Sequence, residues 1–460
     1  MSKEKEKENK KSSIFKKISI GFGTVVILAA IVGSFYWFSM PSEARNMVTF
    51  MIFGGKNYDS YEEYQVIERN KEILQPSGID FIPAKSKKQD NNINIGSASE
   101  MIKNNTSSML KKGMVQTTGV KDYTGWQMLA AEGAEKGSNP YGPSPLSYYT
   151  AGVAANLHTQ ITMVAKLENI VLDNVTVEVL NDFHWDNMMT ADGTGHLDLT
   201  TINIIIESNA SDKVIQKIKK QAINAWAVGE ALRNKTEIVP NLIINGNNWE
   251  NYYATPGTSK SDESYDGNMK LSSITDVPRI PKYLELAMAE DEDVTANMDA
   301  LSNMVFQIFA ISESAENTDR PYLKKITIST PTEETWEIYS DEFIGKDDNP
   351  LAPTSLEYFT LGTTLCLTSQ TTLVSAMMGL DVTDYRVEHL FEYKQENVNA
   401  SKMIGSLDVV QTYVFVKSDE SKENLETFFN KSLALCFAGE GLVNETEMKI
   451  SVYLNGNKLN

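Results

Sequence analysis

Residues 139–247 align with residues 349–457 at a constant offset of 210, across 109 consecutive pairs without a gap and with 29 identities. An internal register of that length means that one structural unit is written twice, so any fold that suits one copy must suit the other. Asn139-Pro140 pairs with Asn349-Pro350, Gly229-Glu230 with Gly439-Glu440, and Asn245-Gly246-Asn247 with Asn455-Gly456-Asn457. The chain has 2 cysteines, Cys366 and Cys436, and both lie in the second copy. Asn156 and Trp226 take their places in the first. One copy can do thiol chemistry and the other cannot.

A chain of 460 residues with 41% apolar content has room for two or three packed domains. Its net charge is −19, although the first 17 residues are basic. So acidic a body repels nucleic acid and anionic lipid, which removes both as expected ligands. Residues 18–38 carry no charge, and at about 1.5 Å per residue such a run spans the hydrocarbon core of a bilayer. Lys10, Lys11, Lys16 and Lys17 flank it on one side. The positive-inside rule then sets residues 1–17 as a cytoplasmic tail, 18–38 as a single-pass transmembrane helix and the bulk of the chain outside the cytoplasm. A cleaved signal peptide is the competing reading, against which the length of the run weighs.

Residues 39–105 are polar and weakly periodic, and read as a stalk with some local structure. The first repeat occupies 106–247, a linker 248–319 and the second repeat 320–460. Met298, Leu301, Met304, Val305 and Ile308 recur at helical spacing, which predicts a short helix within 296–310. In the second repeat, 323–330, 335–340, 382–393, 407–417 and 447–454 read as strands. Residues 355–378 and 422–436 read as helices, the first opened by Thr354 with Glu357 three positions on. The order β-β-α-β-β-α-β predicts an α+β unit, a mostly antiparallel sheet covered by helices. The helices at 145–168 and 355–378 are apolar on every side, so each must be buried by more than its own repeat.

The segment Asn349-Pro350-Leu351-Ala352-Pro353-Thr354-Ser355-Leu356-Glu357-Tyr358 leads into a helix bearing Cys366. It resembles the signature of the OsmC/Ohr family, the osmotically inducible protein C and organic hydroperoxide resistance proteins. Cys436-Phe437-Ala438-Gly439-Glu440-Gly441-Leu442 resembles that family's second cysteine site, although the proline and serine usual after the cysteine are missing. Gly142-Pro143-Ser144-Pro145-Leu146 shows the same helix start in the first repeat.

The resemblance implies tandem OsmC-like domains joined as an intramolecular pseudo-dimer, since members act as intertwined homodimers. It implies a thiol-dependent peroxidase needing no cofactor, with a hydroperoxide substrate and an external dithiol reductant. Cys366 would attack the O–O bond and become a sulfenic acid, and Cys436 would resolve it as a disulfide. Glu357 matches the family's acidic residue that tunes the thiolate with an arginine, but Thr354 and Glu357 equally form a capping box. Arg320 and Arg386, the arginines of the second repeat, do not match the family's arginine. The alternative is a non-catalytic binding or scaffold protein on the membrane surface that keeps the fold. In the first repeat Asn156, Trp226 and Ser147, which stands where Glu357 stands, remove all three polar elements. His158, His184, His196 and His389 show no metal-ligand spacing.

Overall fold

The computed structural model describes residues 67–69, 72–74, 91–100, 110–120, 123–132, 142–190, 192–246, 253–256, 305–315, 320–330, 335–343, 349–397 and 403–459. In chain order the first half contains β1 (Ile67–Arg69), β2 (Glu72–Leu74), β3 (Asn91–Glu100), β4 (Leu110–Thr117), β5 (Trp126–Ala131), α1 (Pro145–Leu167), β6 (Asn174–Asp186), β7 (Thr194–Glu207), α2 (Asp212–Ala225), α3 (Ala227–Arg233), β8 (Glu237–Ile244) and β9 (Tyr253–Pro256). The second half contains β10 (Val305–Ser314), β11 (Lys324–Ser329), β12 (Thr335–Ser340), α4 (Ser355–Met378), β13 (Val382–Asn397), β14 (Met403–Ser418), α5 (Lys422–Ala434), α6 (Phe437–Val443), β15 (Glu447–Leu454) and β16 (Asn457–Leu459). The order from β3 to β8 recurs from β10 to β15.

Two seven-stranded sheets result, in the orders β1-β5-β4-β3-β13-β14-β8 and β12-β11-β10-β6-β7-β15-β16. The fold is mixed α+β. Neither sheet belongs to one half of the chain. β13 and β14 of the second half sit between β3 and β8 of the first, and β6 and β7 sit between β10 and β15. The exchange is reciprocal in register as well. β8 runs parallel to β14 with Glu237 opposite Val409, and β15 parallel to β7 with Glu447 opposite Leu199. Both pairs of positions differ by 210.

The sequence dictates what lies between the sheets. α1 packs on β6 and β10, α4 packs on β3, β4 and β13, and the two helices pack on each other. Gly152 and Gly362 permit the closest approach. A Cβ on Gly362 would lie 2.4 Å from the Tyr149 backbone nitrogen, and one on Gly152 would lie 2.5 Å from that of Phe359. Buried on nearly every side, α4 still carries many threonines. Thr363, Thr364 and Thr368 return their hydroxyls to the carbonyls of Phe359, Thr360 and Thr364, at 2.9, 2.8 and 2.8 Å, so none of these hydroxyls is left unpaired in the core. Ser144 and Thr354 cap the two helices, and Gly379, at φ 63°, ends α4 in the left-handed region. One apolar core runs through both halves, from Val115 and Leu157 to Val414 and Leu442.

Three expectations change. The stretch taken as a stalk holds β1, β2 and β3, and β3 is the central strand of the first sheet. The short helix expected within 296–310 is replaced, over its described part, by β10. Ile308, Phe309, Ala310 and Ile311 are all buried, because a strand between β11 and β6 is covered on both faces. Apolar residues on both faces of such a strand imitate helical spacing. The helix expected over 422–436 ends at Ala434, and α6 begins after Cys436. The transmembrane helix expected at 18–38 lies outside the described residues. Among the described residues, no helix is long and apolar enough to cross a membrane.

Candidate active site

Two separate elements bring the cysteines together. Cys366 lies in the middle of α4, and Cys436 is the residue that caps α6. The Cys436 thiol donates to the Cys366 sulfur across 3.6 Å, and the Gly439 amide donates to Cys436 Sγ at 3.4 Å. Both thiols are free and buried. A disulfide needs sulfur atoms about 2.05 Å apart, so closure of little more than 1.5 Å joins them.

Burial pushes the Cys366 thiol well above its ordinary range, and the hydrogen bond and charge of Cys436 push it further. The carboxylate of Glu132 adds to the rise, and the Ala438 amide partly offsets it. At rest Cys366 is therefore a protonated thiol. A cavity of about 160 Å³ reaches the pair from one side, lined by Ile238, Pro240, Leu367, Leu433, Val443 and Cys436. His389 and Thr412 add polar groups to an otherwise apolar wall. The thiol that faces this cavity is Cys436, with Cys366 behind it.

The structure does not bring Glu357 to the thiols. Nine residues of helix separate it from Cys366, which is about 13 Å along the axis and half a turn around it. Its carboxylate instead closes the capping box with the Thr354 amide at 2.9 Å. It also accepts from the Thr117 amide and hydroxyl at 2.9 and 3.1 Å, and from the Tyr123 hydroxyl at 2.7 Å. Burial raises its pKa, and these hydrogen bonds work against the rise. Arg69 lies 4.0 Å over the Trp126 ring and 5.2 Å from that of Tyr123, and donates to the Pro350 carbonyl at 2.6 Å. Burial lowers its pKa, while Tyr123 and Glu357 hold its charge. Arg320 is engaged by Asp341 and the Asn349 carbonyl, and Arg386 by Glu388.

In the first half, Asn156 donates to Ser355 Oγ at 3.0 Å, and Ser355 donates to Glu342 at 2.6 Å. Thr159 and Lys324 continue this buried network. The thiol position of that half is thus a neutral amide among polar partners.

Residues 136–241 match the family model described as OsmC-like protein. The match spans less than a quarter of the chain. The match falls on the cysteine-free half, so it bears on fold and not on the thiols. A crystal structure of an OsmC-like hydroperoxide resistance protein from Jannaschia sp. CCS1 aligns at 16% identity, covering 33% of this chain and 96% of that one, with a TM-score of 0.23. No curated protein matches.

Three residues that surround Glu357 or lie between the thiol-bearing helices escaped the sequence reading. Arg69 and Tyr123 carried no motif, and Arg69 fell in the stretch read as a stalk. Tyr149, the third, did carry a signal. In the 210-residue register it pairs with Phe359, so a hydroxyl stands in one copy where the other has none.

Proposed function

We propose that this protein is a thiol-dependent hydroperoxide reductase that cycles Cys366 and Cys436 between dithiol and disulfide. The observation that carries the reading is the 3.6 Å separation of the two sulfurs, from elements 70 residues apart, in a chain with no other cysteine. A thiolate attacks the outer oxygen of R–O–O–H, an S–O bond forms and the O–O bond breaks. The peroxide leaves as an alcohol and the sulfur becomes a sulfenic acid, oxidised by two electrons. The second thiol then displaces water to give the disulfide. An external dithiol restores the pair by exchange. The apolar cavity beside Cys436 suits an organic hydroperoxide better than a charged one. The interleaved sheets and reciprocal helix contacts support a reading of the chain as two OsmC-like units forming a covalent pseudo-dimer. Residues 18–38 would anchor it, with the N-terminus cytoplasmic and the thiols outside.

One observation favours the second reading, a non-catalytic scaffold or binding protein. Cys366 is 1% exposed, and among the described residues no cation enters the balance that sets its pKa. An attacking thiol usually needs one. The two readings separate in a peroxide-consumption assay on the full chain, with cumene hydroperoxide and dithiothreitol. The peroxidase reading expects turnover to be lost when Cys366, the attacking thiol, is replaced by serine. Wild-type consumption no faster than that of the double serine variant selects the scaffold.

A further inference from the structure

Tyr149 is fully buried, yet among the described residues its hydroxyl has no hydrogen-bond partner. A buried hydroxyl without a partner is destabilising, and this one stands where the two thiol-bearing helices meet. The backbone of Tyr149 crosses α4 at Gly362, one helical turn before Cys366 and therefore on the same face of that helix. The ring stacks on Phe359, centroid to centroid 4.7 Å, and Phe359 lies two turns before Cys366, again on that face. The hydroxyl reaches α6, where it would lie 3.2 Å from a Cβ on Gly441, five residues past Cys436. Glycine at 441 leaves room for it. The phenol thus sits between the helix that carries one thiol and the helix that begins at the other; burial raises its pKa, and it lies close enough that the charge of either thiolate raises it further.

The same register places Phe359 against Gly152, one turn before Asn156, at the position without a thiol. The ring is kept in both copies. The hydroxyl is present only on the side that has sulfur, which a purely structural role for the ring does not require.

We infer that Tyr149 is a further catalytic residue of the proposed peroxidase, a hydrogen-bond donor to the oxygen that departs when Cys366 is oxidised. As the sulfur takes the outer oxygen and the O–O bond breaks, the electron pair leaves on R–O⁻. The phenol donates to that oxygen while negative charge builds there, and the thiol proton ends on it to give the alcohol. Tyr149 is unchanged at the end of the step. A donor placed where charge develops is worth about 10²-fold in rate. The half of the chain without cysteines thereby completes the site of the half that has them. This inference rests on the peroxidase reading.

The test compares two oxidants on the reduced full chain, following loss of the two thiols in a single turnover. Cumene hydroperoxide makes an oxygen leaving group, whereas diamide closes the same disulfide without one. Tyr149→Phe keeps the ring, as Phe359 shows in the other copy. It should slow oxidation by the hydroperoxide about 10²-fold and leave the diamide rate within about twofold of wild type. Equal slowing with both oxidants would mean that the hydroxyl only positions the thiols, and an unchanged hydroperoxide rate would mean that it does nothing; either overturns the inference. A wild-type protein that reacts with diamide but not with hydroperoxide overturns the peroxidase reading itself, and this role with it. If Tyr149→Phe melts well below wild type, Phe359→Tyr with Tyr149→Phe moves the hydroxyl to the other copy; recovery of hydroperoxide oxidation there also overturns the inference.

Discussion

Between pH 6.5 and about 3 the folded protein should lose stability at roughly 2.7 kcal/mol per pH unit from two histidines alone. His158 and His389 are both fully buried, and burial lowers each from an ordinary 6.5 to about 3. The positive charge of Lys324 contributes at His158, opposed by the Ser312 carbonyl. Unfolding returns each imidazole to water, where it binds a proton below pH 6.5. The unfolded chain then holds more protons than the folded one, so stability falls as pH falls. The contribution is complete above 6.5 and is lost towards 3. Glu357 acts in the opposite sense, because its raised pKa disfavours the folded state as pH rises through the carboxylate range. A difference measurement removes it. Wild type minus His389→Asn, followed by denaturant unfolding from about pH 6.5 to 5, should change by about 1.4 kcal/mol per pH unit. A difference independent of pH would show that His389 is not held neutral by burial.

Gly362→Ala and Gly152→Ala should each destabilise the protein by about 3 kcal/mol. Inside a solvated helix the same change stabilises by about 1 kcal/mol, so the sign alone is informative. The new methyl carbon at 362 meets the backbone nitrogen and Cα of Tyr149 at 2.4 and 2.7 Å, and the one at 152 meets those of Phe359 at 2.5 and 2.8 Å. Backbone cannot rotate aside as a side chain can. α1 and α4 must separate, and the core packed on both loses contact. One separation makes room for both methyl groups, so the double variant should cost clearly less than the sum. Equilibrium unfolding of the three variants measures this. Single costs under about 0.5 kcal/mol, within the range of ordinary surface changes, would deny the close helix crossing.

The local features of this fold were legible, and the non-local ones were not. α1 and α4 announced themselves by apolar residues on all sides, and α4 also by its capping box at Thr354 and Glu357. β12 and β15 fall where alternation placed them, at Thr335–Ser340 and Glu447–Leu454. β3 and β10 were hidden for a physical reason. Each is an inner strand of its sheet, packed between neighbours from both halves of the chain, and its pattern reflects that environment rather than a solvent-facing alternation. The meeting of Cys366 with Cys436 followed from a resemblance, not from periodicity. The separation of Glu357 from Cys366 could have been anticipated from helical geometry, since nine positions is two and a half turns. Arg69 could not, because nothing local in its segment shows that it will lie over Trp126.

One equivalent of cumene hydroperoxide, added to the fully reduced chain, tests the redox pair most directly. Mass analysis of the digested product should find Cys366 joined to Cys436 in one intramolecular disulfide, with two thiols lost per chain and one alcohol released. Cys436→Ser should instead stop at a sulfenic acid on Cys366. Retention of both thiols after the peroxide, or disulfides only between chains, would contradict the proposed chemistry and leave Cys366 as a buried thiol of the core.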